Sequence, residues 1–402
     1  MLTVYDIVKQ AVVLILGIVL AVGFGPIALP LPGLPHVKIV DLKEALRAPE
    51  PLPLEGVLEP NNALEAAVVL FNNTLQSSES VLVEPDGSVV LLDKYGALLT
   101  AAPNASAPGG YQLDPVPKAW LGPSRPLGFK RDAQGDLIVC NTALGLVKVV
   151  GSSVVLLGQR VSDSSPLDPG SPILYANTLD ISPTTGVVYF SDSQMIPVTP
   201  NYGVPRARPW YDTLGSYLRG VYSGQATGRV MAYFPNNGSI HVLAKGMWFS
   251  NGVALSADES FLLVAETNMF RLLKLWLKGP KAGMLELAVD RLPGFPDGVT
   301  RSHDGGFWVA LPSPRNQLFQ MLQYRSIRTL MAYLPASMRP PLPMWGAVIK
   351  VDADGKITRF LADMSGRHVA FIAAVDEQVL ENGSIRLWLG NVAKHYIAYI
   401  DI

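Results

Sequence analysis

Gly246-Met-Trp-Phe-Ser-Asn-Gly-Val-Ala-Leu-Ser-Ala-Asp-Glu-Ser-Phe-Leu-Leu-Val-Ala-Glu266 sets the pattern for the whole chain. It reads as a polar residue, a short apolar strand, a tight turn at Asp258-Glu259 and a returning strand, Phe261 to Ala265. The returning strand is rich in residues that suit a pleated, half-buried surface. A turn pair followed by an apolar run recurs outward from this stretch. Toward the N-terminus it appears as Asp86-Gly87, Gln134-Gly135 and Thr185-Gly186. Toward the C-terminus it appears as Asp304-Gly305 and Asn382-Gly383.

Three of the five intervals between these turns are about 50 residues, the length of one four-stranded propeller blade. The other two contain insertions, 194–227 and 312–345. A second hairpin signature falls between turns at Gly145–Val150, Gly228–Tyr233 and Gly346–Gly355. Four strands per repeat and six repeats predict an all-β, six-bladed β-propeller. A two-sheet sandwich is the competing all-β architecture, but it has no need of a regular period.

Composition limits the remaining choices. A formal charge of −1 spread over 402 residues, with no basic stripe, gives no support for nucleic-acid binding. The single cysteine, Cys140, rules out an intrachain disulfide and reads as a buried, inert thiol in an apolar strand. Gln10 to Pro35 carries no charged residue. Ala11 to Leu29 is therefore expected to cross a lipid bilayer as one helix, residues 1–35 forming an anchor, with a cleaved signal peptide as the rival. Residues 36–60 read as a Pro-rich linker and 61–402 as the propeller. Four glycosylation sequons, at Asn72, Asn104, Asn237 and Asn382, would place the body in a lumen or outside the cell.

The apolar spacings of the second insertion suit an amphipathic helix with Arg325 and Arg328 on its polar side. That helix would cover a propeller face, act as a lid, or touch a membrane. Both insertions are also candidate contact surfaces for membrane-protein partners.

The functional signal lies at the start of the inner strands. Glu79, Asn177, Asn251 and Asp297 stand seven or eight residues before their turns, where inner strands begin and ring the axis. An apolar core would place a hydrophobe at each of these positions. Two carboxylates and two amides converging on one axis make a hard-cation site with Ca²⁺ as its natural occupant. The alternative is a channel plug of side-chain hydrogen bonds to backbone and water. No Ser-His-Asp set is visible among the five histidines. His303, in a turn, and His368, before a strand, are candidates for a general base, with solvated side chains as the alternative.

Several segments resemble the strictosidine synthase-like family, which includes the adipocyte plasma membrane-associated proteins. They are Glu59-Pro-Asn-Asn-Ala-Leu-Glu65, Glu79-Ser80, Arg125-Pro-Leu-Gly128, Tyr189-Phe-Ser-Asp192, Thr227-Gly-Arg229, Ser250–Ser256, Val264–Thr267, Trp276–Gly283, Leu292–Asp297 and Gly305–Ala310. The resemblance implies a six-bladed propeller, often behind an N-terminal anchor, in the endoplasmic reticulum or secretory pathway. Through the more distant paraoxonases and gluconolactonases it implies a calcium site at Glu79, Asn177, Asn251 and Asp297. Thr178 and Gly298 depart from that pattern, standing where Asp and Asn often follow the ligands. Ala373 stands where true strictosidine synthases carry their glutamate, and Leu127 where paraoxonases carry a catalytic histidine. The expectation is a membrane-anchored, calcium-dependent hydrolase of esters or lactones with its base unassigned. A non-catalytic binding module or accessory subunit is the alternative.

Overall fold

The computed structural model describes residues 28–202 and 209–402, together with Lys9, Gln10, Val13 and Gly17. Most of the expected membrane helix, Ala11 to Leu29, lies outside the described residues. Among those that are described, no helix is long and apolar enough to cross a membrane.

Each turn pair joins the first two strands of an antiparallel sheet. In the sheet around the opening stretch, Ser250–Leu255 pairs with Phe261–Glu266, then Arg271–Trp276, then Leu285–Val289. Six such sheets follow one another, which is the six-bladed propeller the repeat predicts. Successive inner strands are Val81–Val83, Pro126–Arg131, Ala176–Ile181, Ser250–Leu255, Val299–Arg301 and Ile372–Val379. From the second to the sixth, each packs beside the next, and Ile372–Val379 returns to Val81–Val83; Leu82 of the first packs against the cluster that holds Phe129 of the second.

Two features were not anticipated. The sixth blade takes its outer strand from Val68–Leu70, which pairs with Ile397–Asp401 and closes the ring. The first blade gains a fifth strand, Ala119–Trp120, on Ala97–Pro103.

The core lies between blades. Leu92, Leu98 and Ala119 of blade 1 meet Phe129, Val139 and Val147 of blade 2. Val89 and Leu91 of blade 1 meet Trp388 and Ile397 of blade 6, where Tyr111 sets its ring edge-on to Trp388 at 5.0 Å. Cys140 is fully buried between blades 2 and 3, as expected, and burial raises its thiol pKa well above the usual value.

A buried polar residue ends the second strand in five of the six blades: Asp93, Asn141, Asp192, Glu266 and Asn391. Each accepts backbone N–H groups. Asp93 caps its own turn, receiving Tyr95 and Ala97 N–H at 2.8 Å each. Asp192 holds Tyr175 N–H at 2.7 Å, and Glu266 holds Trp248 N–H at 2.7 Å. Asn141 reaches Leu121 O and Ser124 Oγ, and Asn391 reaches Ala370 O. The last four caps fix the segments that lead into inner strands, because loop N–H and C=O groups buried at the axis need partners.

A second compact unit comprises the described part of residues 1–47 with 217–225 and 316–341. In it Pro30–Leu31 pairs with Leu34–Lys38, and Val40 N–H bonds Ser223 O at 2.9 Å. Residues 213–223 form helix α1, Gln317–Met321 α2 and Arg325–Tyr333 α3. The structure corrects the expected orientation of α3. Arg328 is wholly buried, with its guanidinium donating to Leu322 O, Gln323 O and Val40 O. Arg325 is largely covered and pairs with Asp41 at 3.2 Å. Leu330 and Tyr333 face outward instead, 56% and 51% exposed. Unpaired backbone carbonyls drew the arginine inward, and periodicity alone carries no information about them.

Candidate functional site

The four predicted residues lie at the heads of the inner strands of blades 1, 3, 4 and 5, and each is buried. Glycines let these strand heads crowd together. A Cβ on Gly252 would collide with the carbonyl oxygen of Asp297, and one on Gly390 with that of Glu79. Gly252 N–H instead donates to Asp297 O at 3.0 Å. Asn391 N–H donates to Ser78 O at 2.7 Å and so fixes the backbone ahead of Glu79.

Side chains link the same residues. Asn177 Nδ2 donates to Asn251 Oδ1 at 2.9 Å and to Ser193 Oγ at 3.0 Å. Asn251 Nδ2 donates to Thr267 Oγ1 at 3.3 Å, and Thr267 in turn donates to Pro296 O at 2.8 Å, just before Asp297. The Asn251 side chain favours the charged form of Asp297. Glu79 and Asp297 interact electrostatically with each other. The four thus form one connected cluster drawn from four blades.

This cluster holds negative charge at a cost. Burial raises the Glu79 carboxyl to about 7, with the opposing pull of Arg125 too weak to offset it. Burial and the repulsion of Glu79 raise Asp297 well above the carboxylate range. Asn177 Oδ1 is buried with no hydrogen-bond partner. An unpartnered amide oxygen, joined through Asn251 to the site of two carboxylates that resist ionising, belongs to the donor set a hard divalent cation satisfies, so these residues fit Ca²⁺. Among the described residues there is no group of three or more His, Cys, Asp or Glu that could hold a metal ion. Any cation here would therefore rest on the mixed set of carboxylates and amides.

Thr178 has a structural task of its own. Its hydroxyl donates to Asn251 O at 2.7 Å and accepts Val253 N–H at 3.1 Å, tying blade 3 to blade 4. Ala373 lies in the sixth inner strand and its carbonyl accepts Gly298 N–H at 2.8 Å. Leu127 is buried in the second inner strand. The histidines singled out in the sequence lie elsewhere: His303 Nδ1 contacts Glu377 Oε1 at 2.7 Å in its turn, and His368 Nε2 contacts Ala67 O at 2.6 Å.

Three residues emerge that the sequence reading gave no role. Arg125, at the head of the second inner strand, is buried and interacts with Glu79. Tyr175 is buried near Glu79 and Asp297, and burial and both carboxylates keep its phenol protonated; its O–H donates to Thr213 O at 3.2 Å. His395 Nδ1 lies 3.4 Å from Ser77 Oγ. Burial, together with Lys94, Arg125 and Lys394, lowers its pKa below the ordinary histidine value. Only the Arg125-Pro-Leu-Gly128 segment carried any advance signal, as part of the family resemblance.

A family model described as strictosidine synthase matches residues 209–280. The Arabidopsis thaliana protein strictosidine synthase-like 10 is 34% identical over 287 residues, covering 69% of this chain and 70% of that protein. The adipocyte plasma membrane-associated protein of Rattus norvegicus is 31% identical over 370 residues, covering 88% of this chain and 90% of that one. A solved gluconolactonase of Xanthomonas campestris superposes with a TM-score of 0.52 at 16% identity, covering 85% of this chain and 94% of that one, a likeness of fold. The ring is a six-bladed β-propeller, the fold it shares with that solved structure. Within that class, this chain belongs to the strictosidine synthase-like family.

Proposed function

We propose that the protein is a calcium-dependent hydrolase of esters or lactones. The observation that carries this reading is the buried, unpartnered Oδ1 of Asn177, whose amide is bonded to Asn251, together with the electrostatically interacting carboxyls of Glu79 and Asp297. Glu79, Asn177, Asn251 and Asp297 would hold the ion, which when bound supplies a Lewis acid toward the acyl carbonyl. Tyr175, kept protonated, stands in the same surroundings with its O–H held by Thr213 O. His395 is the proposed base: its depressed pKa keeps the imidazole neutral near pH 7. It takes a proton from water as the water oxygen bonds to the acyl carbon, and returns it to the departing alkoxide as the acyl C–O bond breaks. The products are a carboxylic acid and an alcohol, joined in one molecule when the substrate is a lactone.

The test is turnover of phenyl acetate and of δ-valerolactone by the purified full chain, with calcium and with EDTA. Calcium-restored turnover is expected. Turnover unaffected by EDTA, or none with either substrate, would sink this reading.

We also infer that the chain rests against a lipid surface through helix α3, in a lumenal or extracellular compartment. Its exposed face presents Leu330 and Tyr333, and Met321, Tyr324 and Met338 nearby are 48%, 57% and 64% exposed. An apolar outward face over a buried arginine reverses the usual order for a helix in water. The uncharged Gln10–Pro35 sequence leads directly into this unit, where Tyr333 O–H donates to Pro30 O at 2.8 Å. The four sequon asparagines are all exposed, as glycan acceptors must be.

A further inference from the structure

Arg125 is 3% exposed, yet its Nε and Nη2 are buried without a hydrogen-bond partner. These two nitrogens share one edge of the guanidinium plane. Their N–H bonds run parallel, the geometry that grips two oxygens of one planar group. Other arginines of this chain use that edge fully. Arg386 places Nε on Asp401 Oδ1 at 2.6 Å and Nη2 on Oδ2 at 2.9 Å, and Arg229 turns the same edge to Asp192.

The acidic neighbours of Arg125 leave its edge unused. They are Glu79, Asp93 and Asp212. Glu79 belongs to the axial cluster. Asp93 is occupied by backbone N–H groups, and Asp212 accepts from Gly215 N–H and Asn201 Nδ2 at 2.9 Å each. Lys94 senses the charge of Arg125, and His395 senses Lys94, Arg125 and Lys394, so positive charge from these three cations gathers here and keeps His395 neutral. The wall beside it is aromatic, with Tyr175 edge-on to Phe249 at 5.4 Å.

We propose that Arg125 grips a carboxylate of the substrate through Nε and Nη2, so that the site selects esters or lactones bearing a second, acidic group. The chemistry after binding rests on the hydrolase reading; the binding itself does not. The aromatic wall and the paired donors together favour an aryl or alkyl carboxylate over a neutral ester.

The test is calorimetric titration of the calcium-loaded full chain with phenylacetate and with phenylacetamide, which has the same shape but no charge. Wild type is expected to bind phenylacetate at least about tenfold more tightly, as expected of a charge-assisted bidentate pair. Arg125→Met should abolish that preference, and Arg125→Lys, which keeps the charge without the fork, should restore only part of it. Equal binding of the two probes by wild type overturns the proposal, as does a preference that survives in Arg125→Met. If Arg125→Met does not fold, wild type in EDTA decides: a retained preference supports Arg125, and its loss assigns the carboxylate to the cation and overturns the proposal. A confirmed preference without any ester turnover would leave Arg125 as the carboxylate anchor and refute hydrolysis alone.

Discussion

Asn177 and Asn251 meet amide to amide across the boundary between blades 3 and 4, Nδ2 to Oδ1 at 2.9 Å. That contact engages Asn177 Nδ2 and leaves its Oδ1 buried without a partner. Calcium at about 100 times its dissociation constant should therefore stabilise the fold by about 2.7 kcal/mol. Differential scanning fluorimetry should show a rise of several degrees that EDTA reverses. Asn177→Leu, which removes the oxygen and keeps the bulk, should lose the response; an undiminished calcium shift in that variant would discount Asn177 as a ligand.

His395 offers a kinetic test. His395→Gln should lower kcat by about 10²- to 10⁴-fold, the usual contribution of a positioned base. Because the folded protein lowers the imidazole pKa, the acid limb of the wild-type pH–rate profile should lie below the ordinary histidine range. A profile with no acid limb, or a glutamine variant of normal rate, would assign the base elsewhere.

The buried pair Arg229–Asp192 joins stability to the site. Arg229 is 2% and Asp192 0% exposed, and Asp192 also holds Leu174 and Tyr175 N–H at 3.2 and 2.7 Å. Arg229→Met leaves an uncompensated buried carboxylate and should cost about 3–5 kcal/mol in chemical unfolding. Arg229→Met combined with Asp192→Asn should recover much of that loss. A single variant of wild-type stability would show that the pair is dispensable.

Asp376 gives a pH dependence with a definite sign. Burial raises its carboxyl to about 6, and the neighbouring Lys130 only partly opposes this. A folded pKa above the unfolded one means the folded state holds the proton more firmly. The stabilisation is complete below the unfolded value and is lost as pH rises through about 6. Urea unfolding of wild type between pH 4 and 7 should show a decline of up to about 3 kcal/mol from this group, and Asp376→Asn should remove that part of the decline.

Helix α3 can be probed directly, since the sole native cysteine is buried and should not label. A polarity-sensitive fluorophore on Leu330→Cys in the full chain should shift to the blue in phosphatidylcholine nanodiscs and be quenched by brominated lipid. A spectrum typical of water in both settings would remove α3 from the membrane contact.

Much of the ring was legible because every blade repeats one local rule, a turn pair flanked by apolar strands. Glu79, Asn177, Asn251 and Asp297 could be found because they break the apolar pattern at one repeated position. The caps Asp93, Asn141, Asp192, Glu266 and Asn391 were equally visible, each ending an apolar run, but their purpose appears only when their loop partners are known. Arg125 meets Glu79, and His395 meets Ser77, through contacts distant in sequence, and periodicity says nothing of these. Arg328 was expected on the polar side of its helix because the spacing marks only which residues are apolar, whereas the backbone carbonyls of Val40, Leu322 and Gln323 claimed the arginine.

Val68–Leu70 lies against Ile397–Asp401, so the circle is fastened by segments separated by nearly the whole polypeptide. On a ribosome, the first four blades could assemble early, yet the clasp must wait until the final strand has left the exit tunnel. Closing a loop this long costs only modestly more than closing a short one, so the order of synthesis decides when the clasp forms. A nascent chain stalled before residue 397 would hold an open arc and would be the form most exposed to chaperones and proteases.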